Sequence, residues 1–408
     1  MKSIAVDIGT TTIKCALFES GKILKEFHQE YSLFSDGKSS CQDSQEWRKI
    51  IAQGIKSFGN NSDVKGIAIS SQGITILPVD EKGRPLTLAE TWLDVSAEKE
   101  MQEFMERFSA EDIYSSTGKV RLPCYTAPKI KRFVTKGIKA YKYLMPLDYV
   151  YYLLCGEYFT DYSMASGTML FDINEKKYRN DLLNFCKITE EQLATPVSMG
   201  TLIGRVTKSA SEEFSLPEGC AVVMGGQDQK MSAYYCGLKE GVACVSIGTS
   251  TAICSMESFE GCAVFAFNGS ELVYESAISS TGAAIKWLKN TLNFSGYNEM
   301  EECAKKAGSS NGVSFDIGFV EGASINGLTL GSQKGNIAYA LYEGIANTIK
   351  KYLPKSVTEL IVYGGGANSE VLRKILKDVT GCVINVPENV ETALAGANKC
   401  VEACLLNK

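Results

Sequence analysis

The chain has 408 residues, 45% of them hydrophobic, and a formal net charge of −5. That length suggests two or three domains of about 150 residues each. The acidic balance gives no basic footprint for nucleic acid, no apolar run approaches the ~18 residues of a membrane span, and residues 1–6 enter a strand pattern without a secretory leader. A cytoplasmic protein with neither nucleic acid nor membrane as partner is the expectation.

The 14 cysteines include no Cys-x-x-Cys pair. Cys15, Cys155, Cys244 and Cys254 lie in apolar contexts, where a free thiol packs as a small hydrophobe in a reducing compartment. A zinc or iron–sulfur site would need clustered ligands. The one histidine, His28, lies in a polar hairpin-like stretch without an acidic neighbour in a site motif.

In chain order, residues 3–6 read as a short strand, 13–19 as a second and 23–31 as a third. Between the first two runs Asp7-Ile8-Gly9-Thr10-Thr11-Thr12, a phosphate-loop composition. Gly9 lets the backbone approach an anion, amides and hydroxyls can point at it, and Lys14 adds a cation. A plain Thr-rich hairpin is the alternative. Residues 43–58 form an amphipathic helix, with Asp43 and Glu46 as a capping box and Trp47, Ile50, Ile51, Ile55 and Phe58 as its core stripe. A buried strand at 64–70 ends in Ser71-Gln72-Gly73, another covers 74–79, and a helix covers 97–108. Gln72, Trp92 and Asp94 fall at strand ends or in loops, where an aromatic face and polar groups can hold a polyol. A half-buried Trp beside a capping Asp fits those residues equally well.

Residues 109–200 are mainly helical by pattern, with Pro128 tolerated in the first turn of a helix that continues over 130–136. The stretch 221–237, AVVMGGQDQKMSAYYCG, is a buried strand, a Gly225-Gly226 turn and a helix. Asp228 stands at the mouth of that turn, beyond the carboxyl end of a strand, where catalytic residues of α/β folds collect. Asp is also a favoured helix cap. Residues 246–254 then echo residues 7–15 at an offset of 239 (246 − 7 and 254 − 15). Both copies read strand, Ile-Gly-Thr turn, strand. Such duplication predicts two similar α/β domains, 1–238 and 239–408, facing each other across a central cleft. Further on, residues 360–363 lead into Gly364-Gly365-Gly366-Ala367, a glycine turn without the GxGxxG pattern of dinucleotide folds.

The ordered motifs resemble the FGGY family of carbohydrate kinases, in its xylulokinase-like or gluconokinase-like branch, within the sugar kinase, Hsp70 and actin superfamily. They are DIGTTTIK at 7–14, SQG at 71–73, TWLD at 91–94, TAPK at 126–129, DYSMAS at 161–166, GGQD at 225–228, SIGTS at 246–250, TGAAIKW at 281–287, GLTL at 327–330 and YGGGANS at 363–369. The resemblance implies two duplicated RNase H-like (actin-like ATPase) domains and an ATP-dependent kinase of a small sugar or ketose, xylulose-like above others. Asp228 would be the general base. Asp7, with Asp228, would help hold Mg²⁺ through water. Thr11, Thr12 and Lys14 would line one side of the ATP phosphates, and Gly248 with Thr249 the other. Gly282, Lys286, Gly366 and Ala367 would surround the nucleoside, while Gln72, Trp92 and Asp94 would meet the sugar. Phosphoryl transfer of this kind needs positioning, charge neutralisation and one proton acceptor.

The sequence departs from the family's pattern in several places. Neither the Met-His that xylulokinase-like members carry after the glutamine nor the Arg-Glu of glycerol kinase-like members is present; Gly73 and Ile74 follow Gln72. The arginine usual two residues after the acid of the TWLD-like motif is Ser96. The usual Gly-Glu-Arg-x-Pro segment is replaced by residues 319–323, and the chain is short between 262 and 327. These losses leave the substrate open and bear on family-type oligomer contacts, so that a homodimer is one of the states allowed. A non-kinase ATPase of the superfamily, either a chaperone-like clamp or a dehydratase activator, and a nucleotide-binding pseudokinase are the rival readings.

Overall fold

The three N-terminal apolar runs become consecutive antiparallel strands, β1 (Lys2–Ile8), β2 (Thr12–Glu19) and β3 (Lys22–Glu30). The computed structural model describes residues 1–318, 322–388 and 391–406. Helix α1 (Ser44–Ser57) follows, with Trp47, Ile50, Ile51 and Ile55 buried at helical spacing. Asp43 caps it by accepting the Gln45 N–H, but Glu46 does not close the expected box; its carboxylate accepts from the backbone N–H of Ser32 instead.

Strand β4 (Val64–Ser71) lies parallel to β1. The strand expected over 74–79 is confined to Leu77–Val79, because Ile74 has φ +67 and breaks the extended run. Helices α2 (Thr126–Thr135), α3 (Pro146–Cys155) and α4 (Tyr162–Ser166) come next. Strands β5 (Leu202–Arg205) and β6 (Ala221–Gln227) complete a sheet of order β5-β6-β4-β1-β2-β3. Its β6, β4 and β1 are parallel. Helix α5 (Asp228–Cys236) starts directly at the end of β6.

The same plan recurs. Strands β7 (Val242–Ile247), β8 (Thr251–Ser255), β9 (Leu272–Ile278), β10 (Glu359–Tyr363) and β11 (Val383–Asn385) lie in the order β9-β8-β7-β10-β11. The first pair is antiparallel and β7, β10 and β11 are parallel, as in β3-β2-β1-β4-β6. The helices around this sheet include α6 (Thr281–Thr291), α7 (Lys334–Lys351) and α8 (Glu370–Thr380). Leu341, Ile345 and Ile349 of α7 pack with Leu372, Ile375 and Leu376 of α8 in its core. The duplicated α/β architecture is therefore present in both sheets.

The chain forms two units, one of Met1–Tyr235, Ala263–Leu272 and Ala393–Lys408, the other of Cys236–Cys262 and Val273–Thr392. The closing helix α9 (Thr392–Leu406), expected from sequence within 239–408, thus packs almost entirely with the first unit. The reason is a fitted contact: a Cβ on Gly66 of β4 would come 2.5 Å from Val401 Cγ1, so only glycine lets α9 lie against the strand. Residues 263–272 join the same unit through Val264 N–H to Gly118 O at 2.8 Å and Ala266 N–H to Ser166 Oγ at 3.0 Å.

Candidate active site

Register brings Asp7, Gln72 and Asp228 to the carboxyl ends of three neighbouring parallel strands. Asp7 of β1 pairs with Ser70 of β4, and Ser70 with Gly226 of β6. Asp7, Ser70 and Gly226 thus form a row across three parallel strands, with Gln72 and Asp228 two residues beyond it. Adjacent strands lie about 4.8 Å apart, so the carboxylates of Asp7 and Asp228 arise from strands two places apart. Ser70 Oγ donates to Asp7 Oδ1 at 2.8 Å. Lys14 stands directly opposite Asp7 on β2.

The first Gly-Thr turn is held by its carbonyls. Gly9 O accepts the Tyr31 hydroxyl, Thr10 O the Gln42 side-chain amide at 2.6 Å, Thr11 O the Tyr31 N–H at 3.1 Å and Thr12 O the Gly9 N–H at 3.0 Å. All four carbonyls are committed within the protein, which suits a loop whose amides and hydroxyls meet an anion. Gln72, expected at the sugar, is 2% exposed and donates to Gln42 Oε1 at 2.9 Å. Its amide buttresses this turn. Tyr31 and Gln42 were not singled out from sequence, since nothing in a strand end or a pre-helix glutamine marks such a role.

Trp92 is 41% exposed and donates its indole N–H to Thr10 Oγ1 at 2.9 Å. Asp94, in contrast, is wholly buried. It accepts from Ser40 N–H at 2.9 Å, from Ser96 N–H at 3.0 Å and from Ser96 Oγ at 2.7 Å. Burial pushes its carboxyl up, but these bonds and the Arg132 charge bring it below the ordinary value. Asp94 thus holds the backbone and hydroxyls around the Trp92 loop. Lys129 of α2 is buried too, donates to Thr91 O at 2.5 Å, and is pushed down to about 8 by burial.

Asp228 opens α5, half-buried, and its Oδ1 accepts the Gln229 N–H at 2.7 Å. The strand before it carries an irregularity between Val223 and Gly226. The Tyr151 phenol of α3 satisfies that break: it accepts Ile69 N–H at 3.0 Å and Gly225 N–H at 2.7 Å, and donates to Val223 O at 2.8 Å. A Cβ on Gly225 would lie 1.9 Å from Ile69 O, so the bulge requires glycine there. Behind Gly226, buried Asp161 caps α4 by accepting Ser163 N–H at 2.8 Å and Met164 N–H at 2.9 Å. Burial pushes its carboxyl up to about 6.

The second unit repeats the carbonyl arrangement. Gly248 O accepts Gly282 N–H at 3.0 Å, Thr249 O accepts Ala283 N–H at 3.1 Å, and Ser250 O accepts Gly248 N–H at 2.9 Å. Its turn is one residue shorter: three residues separate the paired Ile247 and Thr251, against four between Ile8 and Ile13. Lys14 consequently matches Ala252. Gly282 touches this turn because a Cβ there would lie 2.1 Å from Gly248 O. Lys286 is exposed on α6. Gly366 and Ala367, expected around the nucleoside, both pack inward. A Cβ on Gly366 would meet Ile247 Cγ2 at 2.3 Å, and Ala367 is in the core. Gly364 and Gly365 are both exposed, but a Cβ on Gly364 would lie 2.8 Å from Ile247 O, whereas one on Gly365 would meet nothing within 4 Å. A run of three glycines does not reveal in sequence which one has room for a side chain. Residues 319–321 of the replaced family segment lie outside the described residues.

Among the described residues no group of three or more His, Cys, Asp or Glu could hold a metal ion. A single carboxylate at a strand end, braced by a serine hydroxyl, suits Mg²⁺ that keeps most of its water and travels with phosphates. Among the described residues no helix is long and apolar enough to cross a membrane.

Residues 3–234 match the model of the FGGY family of carbohydrate kinases, N-terminal domain, and residues 321–400 that of the C-terminal domain. The gluconokinase of Bacillus subtilis (strain 168) is 23% identical over 449 residues, covering 99% of this chain and 86% of that protein. The xylulose kinase of Staphylococcus xylosus is 23% identical over 432 residues, covering 97% and 89%. In structure, the ligand-bound xylulose kinase from Lactobacillus acidophilus gives a TM-score of 0.92 at 20% identity, covering 100% of this chain and 90% of that one. The Plasmodium falciparum glycerol kinase with ADP gives 0.90 at 20% identity, with coverage of 100% and 90%. The chaperone-like and dehydratase-activator readings are thereby set aside. The chain belongs to the FGGY family of carbohydrate kinases, phosphotransferases that act on an alcohol group of a sugar.

Proposed function

We propose that the protein transfers the γ-phosphate of ATP to a hydroxyl of a small sugar, with a xylulose-like ketose favoured. The observation that carries this reading is the shared construction of the two Gly-Thr turns, whose carbonyls are all committed within their own units. Thr11, Thr12 and Lys14 of the first turn and Gly248 and Thr249 of the second are the phosphate-holding groups. Gly282 and Lys286 stand on the nucleoside side, with Gly365 replacing Gly366 and Ala367 as the residue that meets it. The relatives named xylulose kinase and gluconokinase support a five-carbon ketose or an aldonate as acceptor.

In this reading Trp92 offers the sugar an apolar face, and Asp228 takes the proton of the attacking hydroxyl. A carboxylate beside the reacting oxygen provides the one proton transfer the reaction needs. Asp7, braced by Ser70 and faced by Lys14, orients the cation's water shell. Bound with ATP, Mg²⁺ would neutralise charge on the phosphates. Consumption of ATP measured across ketoses, aldonates and polyols tests the proposal. Turnover with a pentulose, and little with polyols, is expected; turnover confined to polyols would overturn the substrate reading.

A further inference from the structure

The loop bearing Trp92 is bounded by two acids, Glu90 before it and Asp94 after it, with side chains 13% and 0% exposed. Two carboxylates so close in a low-dielectric setting repel each other unless cations answer them. Two cations from one helix answer them. Lys129 and Arg132 of α2 are three residues apart, so they project from one face. Lys129 takes the carbonyl of Thr91 at 2.5 Å. Arg132 Nη2 lies 2.5 Å from Glu90 Oε2 and 3.2 Å from Asp94 Oδ1, while Nη1 donates to Ser96 Oγ. The guanidinium thus grips the loop on both sides of the indole. Its planar fork can serve several oxygens at fixed angles, which an ammonium cannot do.

We infer that Arg132 is a positioning residue of the kinase: it fixes the Trp92 loop so that the indole stays on Thr10 and presents its face to the sugar. It does so from α2, reaching the hydroxyl of Ser96 and the carboxylate of Asp94. Arginine is absent from position 96 itself. The guanidinium is therefore delivered to this loop from another element. The part of the inference that concerns sugar rests on the proposed role of Trp92; the part that concerns the loop does not.

The test uses the full chain with Trp47→Phe and Trp287→Phe, which leaves Trp92 as the only indole. In that background Arg132→Met should raise acrylamide quenching of Trp92 about twofold. With D-xylulose or D-gluconate, whichever is turned over, the sugar KM should rise about 10-fold or more while kcat stays within about threefold, the pattern of lost uniform binding. Adding Ser96→Arg to Arg132→Met should restore both readings. If Arg132→Met fails to fold, Arg132→Lys keeps the charge but loses the fork, and the same increases are expected in weaker form. Unchanged quenching in a folded Arg132→Met or Arg132→Lys variant would overturn the inference, as would failure of Ser96→Arg to restore it. Raised and restored quenching with an unchanged sugar KM would support the positioning by Arg132 and count against the sugar role of Trp92.

Discussion

The indole N–H of Trp92 donates to Thr10 Oγ1 at 2.9 Å, joining the loop expected to meet the sugar to the turn expected to meet the phosphates. Trp92→Phe keeps the aromatic face and removes this one bond. A hydrogen bond of this kind contributes about 0.5–1.5 kcal/mol. The KM values for sugar and for ATP should both rise, by about 2- to 10-fold, with a melting temperature lowered by no more than a few degrees. Steady-state kinetics with each substrate varied would check it, and two unchanged KM values would refute the link.

Gly365 and Gly366 should respond in opposite ways. A Cβ at Gly366 would press on Ile247 Cγ2 at 2.3 Å. Gly366→Ala should therefore destabilise the fold, by about 1–3 kcal/mol for overpacking of a core contact. At Gly365 the space is open. Gly365→Leu should leave the melting temperature nearly native and raise the KM for ATP. The reverse pattern would return the nucleoside to Gly366.

Tyr151→Phe removes a hydroxyl that serves three buried backbone groups, at Ile69, Val223 and Gly225. Leaving buried polar groups unsatisfied costs about 1–3 kcal/mol each. A loss of about 3 kcal/mol or more is expected from urea unfolding. Because the bulge sets where β6 ends, kcat should also fall in the folded fraction. A loss below about 1 kcal/mol would mean that water replaces the phenol.

Asp148 is buried beside Met145, whose N–H it accepts at 2.9 Å, and burial pushes its carboxyl from an ordinary 3.8 up to about 7. Between these values the folded chain holds a proton that the unfolded chain has lost. Its contribution to stability therefore falls as pH rises from about 4 to 7. Asp148→Asn still accepts from Met145 and cannot ionise, so its stability relative to the parent should improve between pH 5 and pH 8. Asp161, pushed up to about 6, contributes in the same direction and leaves a residual slope in the variant. Urea midpoints at the two pH values provide the check; a relative stability that does not change with pH would be contrary.

What was legible in sequence was the periodic and the repeated. The stripe of α1, the strands flanking each Ile-Gly-Thr turn, and the acid at the end of β6 all follow from local pattern. What was not legible depends on tertiary contact. Glu46 completes a capping box on paper, yet Ser32 lies close enough to take its carboxylate. Ile74 continues an apolar run and still turns the chain, because its φ is positive. Nothing in the local pattern of residues 126–136 shows that Lys129 and Arg132 meet the carbonyl and acids of the Trp92 loop. The echo at an offset of 239 holds up to the turn and then slips by one residue, which only strand register reveals.

Asp228→Asn bears most directly on the proposed chemistry. The side chain both opens α5 and accepts the Gln229 N–H at 2.7 Å. Asn caps helices as well as Asp does, so a capping role alone would survive the change. A general base would not, since the amide cannot accept the hydroxyl proton. Such catalysis contributes about 10²- to 10⁴-fold. The measurement is kcat for Asp228→Asn with the sugar identified by the ATP-consumption screen, alongside nucleotide Kd and Tm on the same preparation. A fall in kcat of about 100-fold or more, with Kd and Tm unchanged, is the predicted result. A near-normal kcat would contradict it.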